Sequence, residues 1–295
     1  MPDNPLQKRR EEEFINNDPQ YNFGGFVPPF AFVPVPSPTP SPTRTSTPTP
    51  TPTITTSKTP TPTPTKTNTP TPTSTTTPTP TPSPLVPSLT YITSLSNNTS
   101  STSYSFSATS IGGPGLIVVA FQTERTTTLI QTPTITIGGV SATIAGDSYS
   151  GNNNPNTSTL IAYARITTGT TANISITYPA SQTRIGIGVW RIQNNISDTP
   201  IQVQKSAANS GTGLSITLTG LTANNLGICA QTNGTQGTTM TWTNATEDYD
   251  YDIGSPAGTR ISGASFITSS SGNRTITTSH TNSSQSITLL GVVWN

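Results

Sequence analysis

Residues 247–252, with the sequence EDYDYD, combine carboxylates and tyrosines in alternation. In an extended strand alternate side chains point to opposite faces, so Asp248, Asp250 and Asp252 would share one face. Carboxylate oxygens are the ligands that Ca²⁺ prefers, and adjacent like charges are otherwise unfavourable in a strand. These aspartates are therefore the candidate metal ligands, and no cofactor other than Ca²⁺ is suggested. The alternative is a solvated strand end that leads into a turn at 254–256.

Three tyrosines are candidates for contact with a ligand. Tyr249 and Tyr251 would lie on the face opposite the aspartates, where their rings could stack on sugars. Tyr149 lies in 147–155, the longest polar connection in the first half of the β region, which is predicted to be a loop. Loops on a rigid β scaffold are where binding usually occurs. The sequence therefore suggests glycan binding through these side chains.

The sequence gives little support to catalysis. His280 is the sole histidine, so a catalytic triad would need it beside a nucleophile that no motif supports. We expect His280 to be a surface residue and Cys229, the sole cysteine, to be a small buried hydrophobe. Nothing places two carboxylates across a cleft, as a glycosidase requires. The protein is predicted not to be an enzyme.

From Leu89 onward the sequence has an all-β pattern. Apolar and β-branched residues alternate with polar ones and are interrupted by Gly, Asn and Pro. The candidate strands fall into two series of equal number. The first series is 90–95, 103–108, 116–123, 134–137, 160–167, 173–178 and 185–192. The second series is 201–205, 214–218, 226–231, 239–243, 261–268, 275–279 and 287–294.

The two series also resemble each other in sequence. SYSFSATSIGGPGLIVVAFQT aligns with GLSITLTGLTANNLGICAQTN and places Val118 over Ile228, and a later match places Trp190 over Trp294. A repeat of about 100 residues has the size of one immunoglobulin-like sandwich. The sequence therefore predicts β-sandwich repeats at 85–197 and 198–295, each with one core tryptophan. The alternative is a single jelly roll built from both halves.

Two segments precede the β region. Residues 37–84 are mostly Pro and Thr, which favours an extended polyproline II stalk with a reach on the order of 150 Å. An O-glycosylated, mucin-like stalk has the same composition and is the alternative. Residues 1–36 are predicted to be an anchor peptide whose aromatic side chains fill pockets on a larger assembly. These aromatic residues are Tyr21, Phe23, Phe26, Phe30 and Phe32.

Charge and hydropathy exclude some functions. Charged residues make up 8% of the 295 residues and the net charge is +1, so neither nucleic-acid binding nor attraction to an anionic membrane has electrostatic support. The first residues, MPDNPLQKRREEEF, lack the apolar core of an export signal, and no segment is apolar enough to span a bilayer. We expect synthesis in the cytoplasm without membrane insertion.

Several strand and turn patterns resemble one known domain. They are ITIGGVSAT at 135–143, ARITTGTTANI at 164–174 and GIGVWR at 186–191, followed by MTWT, EDYD and SGAS in the second half. These patterns resemble a β domain that recurs at the C-terminal end of structural proteins of tailed bacteriophages. The resemblance covers about residues 90–295 and includes no catalytic motif. It implies a module of the virion surface, a fibre tip or a capsid decoration.

The sequence therefore predicts a fibre or capsid decoration protein on the surface of a phage particle. Residues 1–36 would bind capsid or tail proteins, and the β head would attach to a host surface or glycan in many copies or as a homo-oligomer. The alternative is a cell-surface adhesin or glycan-binding module with a mucin-like stalk.

Overall fold

The computed structural model describes residues 85–125, 132–151, 155–235, 239–254 and 258–295. The stalk at 37–84 and the anchor residues Tyr21, Phe23, Phe26, Phe30 and Phe32 lie outside the described residues, so what was predicted for them stays a prediction. Within the described residues the regular secondary structure consists of β-strands. The predicted all-β class is confirmed for this part of the chain.

The strands are numbered in chain order. They are β1 (Ser88–Asn97), β2 (Ser101–Ala108), β3 (Gly115–Arg125), β4 (Thr134–Ile137), β5 (Val140–Ser141), β6 (Thr143–Ser150), β7 (Asn156–Ile166), β8 (Ala172–Gln182), β9 (Arg184–Gln193), β10 (Gln202–Ala208), β11 (Gly211–Leu221), β12 (Leu226–Asn233), β13 (Thr241–Thr243), β14 (Thr246–Ile253), β15 (Thr259–Ile267), β16 (Gly272–Ser284) and β17 (Ile287–Trp294).

These strands form four antiparallel sheets. The first outer sheet has the order β2-β8-β4-β5 and the first inner sheet the order β1-β9-β3-β7-β6. The second inner sheet has the order β10-β17-β12-β15-β14 and the second outer sheet the order β11-β16-β13. The two pairs of sheets share their strand order, except that β5 has no counterpart among the described residues of the second pair. A sandwich-like architecture is therefore confirmed, whereas the proposed sequence repeat stays a prediction.

The sheets are stacked in four layers around three apolar cores. One core lies within the first sandwich and another within the second. The third, which we call the shared core, lies between the two inner sheets. Strand β3 contributes to two cores, because Val119 points into the first sandwich and Val118 into the shared core. Burial on both faces explains why this strand is a continuous apolar run.

Glycines on β9 let the two inner sheets approach closely. A Cβ atom at Gly188 would lie 2.2 Å from the Tyr249 ring, and one at Gly186 would lie 2.2 Å from the Ile261 side chain. Such distances are far inside van der Waals contact, so only glycine fits at these positions unless the opposite side chains move. The GIGVW pattern of β9 therefore reflects the packing of one sandwich on the other.

The register of the ladders corrects the predicted equivalence of the two tryptophans. Val118 pairs with Trp190, whereas Ile228 pairs with Val292. Trp294 instead pairs with Leu226. If Val118 corresponds to Ile228, the counterpart of Trp190 is Val292, so the predicted matches of Val118 with Ile228 and of Trp190 with Trp294 do not hold together. Both tryptophans nevertheless lie in the shared core.

The head has two distinct ends. At the base end β1 begins and Ser88 pairs with Gln193. At the opposite loop end β3 finishes and Arg125 pairs with Asn156. The strands of the second sandwich extend between the same two ends, because residues near the C-terminal end of β3 contact residues near the C-terminal end of β12. Strand β3, which has 11 residues, runs from one end to the other and separates them by about 35 Å. The chain therefore enters the head at the base end.

Three strands were not predicted from the sequence: β5, β6 and β14. Each lies at an edge of its sheet, so only one neighbour binds its backbone. Edge strands tolerate polar, small and charged side chains, which weakens the apolar alternation by which strands are recognised. The segment 143–150 is thus a strand, and the first four residues of the predicted polar loop at 147–155 belong to it.

Candidate functional site

A β-bulge divides the acidic run on β14. The pairing of β14 with β15 shifts between Glu247 and Tyr249, which leaves Asp248 as the extra residue. Asp248 therefore turns towards the first sandwich, where the Trp190 indole Nε1 donates to its Oδ2 at 2.8 Å. Burial raises the pKa of Asp248, while hydrogen bonds from Trp190 and Ser265 oppose that rise. The prediction that Asp248 shares a face with the other two aspartates was wrong.

The other two aspartates bind an arginine. Arg260 donates from Nε to Asp250 Oδ1 at 2.7 Å and from Nη2 to Oδ2 at 2.6 Å. Asp250 Oδ2 also accepts from the Met240 backbone amide at 3.0 Å. The Arg260 Nη1 atom lies 3.2 Å from Asp252 Oδ1. These carboxylates are thus used to bind a guanidinium within the second sandwich.

The geometry does not support the Ca²⁺ site suggested for Asp248, Asp250 and Asp252. Among the described residues, no three His, Cys, Asp or Glu side chains are grouped so that they could hold a metal ion. The bulge separates Asp248 from the other two, and Arg260 occupies the space between Asp250 and Asp252.

Tyr249 is a core residue rather than a surface platform. Its side chain is 7% exposed, and its ring stacks on Tyr91 and contacts Trp190, both from the first sandwich. Its hydroxyl donates to Gln122 Oε1 at 2.5 Å. Burial raises its pKa well above the ordinary value. The prediction that Tyr249 stacks on a sugar was wrong, because both sandwiches enclose the ring.

Tyr251 lies beside Tyr249 at the edge of the shared core. The two ring centroids are 6.0 Å apart. Burial raises the pKa of Tyr251 to about 12, while the nearby hydroxyl groups of Ser94 and Ser96 on β1 oppose that rise. The ring is packed between β14 and β1, so Tyr251 presents little surface to a ligand.

Tyr149 is far from the other two tyrosines and lies near the loop end of β6. The inner sheets are stacked with β6 over β10 and β1 over β14, so Tyr149 and Tyr249 lie at opposite side edges. The Arg125 guanidinium stands over the Tyr149 ring at 4.6 Å from its centroid. Tyr149 is half-buried and remains, of the three candidate tyrosines, the one closest to the loop end.

Arg125 is a feature of the loop end that the sequence did not reveal. It is 3% exposed, and among the described residues no carboxylate lies within ion-pair distance of it. Burial lowers its pKa, while Tyr149 and Tyr178 oppose that change. The signal was its position, since Arg125 is the last residue of a strand that is buried along its whole length. The loop end therefore has a cation beneath the Tyr149 ring.

A second polar group at the loop end joins the two sandwiches. Arg184 lies 3.4 Å from Glu124, and its Nη1 donates to the Ile253 carbonyl at 2.9 Å. The Thr259 hydroxyl donates to Glu124. Glu124 and Arg184 belong to the first sandwich, whereas Ile253 and Thr259 belong to the second. This group fixes the two sandwiches against each other at the loop end.

His280 and Cys229 both lie in the interior. His280 is 6% exposed, so the prediction of a surface histidine was wrong; burial lowers its pKa. Its Nδ1 lies 2.6 Å from the Asn282 carbonyl oxygen. Cys229 is fully buried and burial raises its pKa to about 12, as expected for a small buried hydrophobe. Ile276, Thr278 and His280 are alternate residues of β16 and are all buried. This period of two in the sequence could have placed His280 on the inner face of the strand.

The geometry defines a class of architecture, a double β-sandwich with a shared core. Comparisons with protein-family models, curated proteins and solved structures find no match to this chain. The resemblance to phage structural proteins therefore stays a prediction from the strand and turn patterns. In the part of the chain that the structure describes, no helix is long and apolar enough to cross a membrane.

Proposed function

We propose that this protein is a non-enzymatic surface protein of a phage particle, a fibre or capsid decoration protein with its β head on a long spacer. The observation that carries the proposal is the position of the two ends of the head. The chain enters at the base end, and the loop end lies about 35 Å away. In the proposed protein, a spacer attached at the base end would leave the loop end free for contact with a host surface.

The loop end is the surface that we assign to attachment. It combines a half-buried aromatic ring, Tyr149, with the buried cation Arg125, and it lies at the ends of rigid strands. A partly exposed aromatic ring can stack on a sugar ring of a host-surface glycan. Individual contacts would be weak, but many copies on one particle convert weak affinity into avidity when the spacer can reach.

The packing of the two sandwiches on each other supports a role in presenting the loop end to a host surface. The shared core and the Glu124–Arg184 group fix the two sandwiches as one compact body. In a rigid head the loop end keeps a fixed orientation relative to the base end, where the spacer is attached. Two loosely joined domains would not keep that orientation. The nearly neutral charge of the chain, +1, also avoids repulsion between neighbouring copies.

Binding of the full chain to host cells and to arrayed glycans, in a multivalent format, tests the attachment role. Tyr149→Ala should lower apparent binding by roughly tenfold, because an aromatic contact at the centre of a small site dominates its energy. Thr136→Ala, on the first outer sheet, is the matched control and should bind as the native chain does. Equal binding by both variants would contradict attachment through the loop end.

The adhesin alternative has the same geometry and differs in its stalk. A mucin-like stalk carries O-linked sugars, so the native protein would be heavier than its sequence. Intact-mass measurement of the protein from its natural source separates the two proposals. A mass equal to that of the sequence favours the phage protein.

A further inference from the structure

The buried guanidinium of Arg125 has no negative partner within the head. Of the arginines that the structure describes, Arg125 alone is almost completely buried, at 3% exposed. Residues 85–295 contain seven Asp and Glu side chains, and all seven lie within the described residues. None of them is within ion-pair distance of Arg125. Arginine stays protonated in proteins, so this charge needs compensation from another source.

The two carboxylates on the same sheet as Arg125 bind other cations. Glu124 precedes Arg125 in β3, so its side chain points to the opposite face of the sheet, where it lies 3.4 Å from Arg184. Asp147 of β6 lies 3.3 Å from the Lys205 Nζ atom of the second sandwich. Neither carboxylate compensates the charge of Arg125.

One donor of Arg125 belongs to the group of atoms by which arginine binds a carboxylate. Its Nε atom is buried and has no hydrogen-bond partner among the described residues. Arg260 of the second sandwich shows how such a donor is used, because its Nε and Nη2 donate to the two oxygens of Asp250 at 2.7 and 2.6 Å. Bidentate pairing of this kind is the strong form of the contact. Arg125 offers the same pairing to a carboxylate from outside the chain.

The aromatic side chains around Arg125 do not cancel its charge. The Tyr149 ring faces the guanidinium, with the Arg125 Cζ atom 4.6 Å from the ring centroid. Burial raises the pKa of the nearby Tyr178 hydroxyl, which is therefore neutral at physiological pH. A cation–π contact attracts a guanidinium but leaves its net charge in place. The two rings therefore surround the cation without neutralising it.

We propose that Arg125 is a carboxylate-binding site at the loop end, and that the carboxylate belongs to an acidic sugar. Arg125 is the last residue of β3 and Tyr149 the last but one of β6, so the pair lies where these strands finish. Tyr149 is half-buried, and a sugar that stacks on its exposed part can turn a carboxylate towards the guanidinium. The choice of a sugar rests on the proposed attachment role, whereas the binding of a carboxylate does not.

Thermal unfolding of the full chain in glucuronate, acetate and glucose, at constant ionic strength, tests the site. Glucuronate should raise the melting temperature by about 3–5 °C for each tenfold increase above its dissociation constant, because it binds the folded state. Acetate, a carboxylate without a sugar ring, should act in the same direction only at higher concentration. Glucose, the neutral match, should have no effect where glucuronate acts. Equal effects of acetate and glucuronate would overturn the choice of a sugar.

Two variants assign the effect to Arg125. Arg125→Met should lose the response to glucuronate and to acetate. In the absence of carboxylate it should unfold at no lower urea concentration than the native chain, because the replacement removes an uncompensated buried charge. Arg125→Lys keeps the charge but loses the fork of donors, and should bind glucuronate roughly tenfold more weakly.

Arg274→Met is the matched control. The Arg274 guanidinium stands over the Phe266 ring at 4.5 Å from its centroid, as Arg125 stands over Tyr149, but Arg274 is partly exposed to solvent. This variant should respond to glucuronate as the native chain does. Equal loss of the response in Arg125→Met and Arg274→Met would show a general effect of charge and would overturn the site.

A native chain with the same melting temperature in all three solutes would overturn the proposal. A urea midpoint of Arg125→Met well below that of the native chain would also overturn it, because the charge would then be compensated within the protein. Either result leaves the attachment role to its own test, the binding of cells and neutral glycans by the native chain and Tyr149→Ala. A response to glucuronate without binding to cells or glycans would contradict attachment and support the carboxylate site.

Discussion

The Trp190 indole of the first sandwich donates a hydrogen bond to the Asp248 carboxylate of the second, with Nε1 at 2.8 Å from Oδ2. Trp190 lies in the shared core, against the Tyr249 ring. A carboxylate that the sequence pattern offers as a metal ligand thus joins the two sandwiches. Within the acidic run on β14, Asp248 is thus a structural residue of the interface, whereas Asp250 and Asp252 bind Arg260 within the second sandwich.

Replacement of Asp248 should weaken the interface between the sandwiches. Asp248→Ala removes the acceptor of a largely buried indole N–H, which should cost about 1–3 kcal/mol, and Asp248→Asn should cost less because an acceptor oxygen remains. Urea unfolding of the full chain measures both values.

A double-mutant cycle with Trp190→Phe checks the cause. The two residues touch, so their effects should be coupled by roughly 0.5–3 kcal/mol. Effects of Trp190→Phe and Asp248→Ala that simply add would contradict a direct bond between them.

Calcium should not stabilise the protein. Asp250 already binds Arg260 through both oxygens, and the bulge directs Asp248 elsewhere. The melting temperature should therefore be the same in calcium and in chelator, because only ligand binding to the native state would raise it. A rise in calcium that Asp252→Asn abolishes would show that a metal site forms after all.

Gly188→Ala should destabilise the fold. The new methyl group would lie 2.2 Å from the Tyr249 ring, which is itself enclosed by both sandwiches and cannot move away freely. Overpacking of this kind costs typically about 1–3 kcal/mol. Thermal and urea unfolding measure the loss, with Ser107→Ala on the exposed face of β2 as the control. Native stability in Gly188→Ala would mean that the inner sheets are less closely packed than described.

His280 should make stability depend on pH below neutrality. Its pKa in the folded protein is lowered by burial, so the unfolded chain binds the proton more tightly. Stability should be complete above the ordinary histidine pKa of about 6.5 and should fall as the pH drops below that value.

The comparison with His280→Gln isolates this effect, because His280 is the sole histidine and the carboxylates are common to both proteins. Between neutral pH and mild acid the native chain should lose more stability than His280→Gln. Parallel stability curves for the two proteins would show that His280 is not held neutral in the interior.

Sequence patterns identified the interior strands of the described sheets but missed three of the edge strands, β5, β6 and β14. The apolar run that begins at Leu116 predicted β3 because both of its faces are buried. Strand β6 carries Asp147, Ser148 and Tyr149 at the edge of a sheet, where polar residues are tolerated, and it was predicted as a loop. An edge strand forms by pairing with one neighbouring strand, and the local sequence pattern does not identify that neighbour.

The candidate site depended on registers that the sequence does not encode locally. Alternation correctly grouped Asp250 with Asp252, but the bulge at Asp248 arises from pairing with β15 and could not be predicted. Tyr249 was predicted to be exposed because the second sandwich was considered alone. The shared core, which encloses Tyr249, exists only when both sandwiches are stacked.

Amine cross-linking of purified phage particles, read by mass spectrometry, tests the central claim most directly. The chain has Lys8 in the anchor peptide, and Lys205 is the only lysine between residues 85 and 295. Lys205 is exposed, so it can react. We predict that the chain is present in many copies, and that Lys8 links to a capsid or tail protein whereas Lys205 does not. Absence of the chain from the particles, or linkage of Lys205 to the shell as often as Lys8, would contradict the claim.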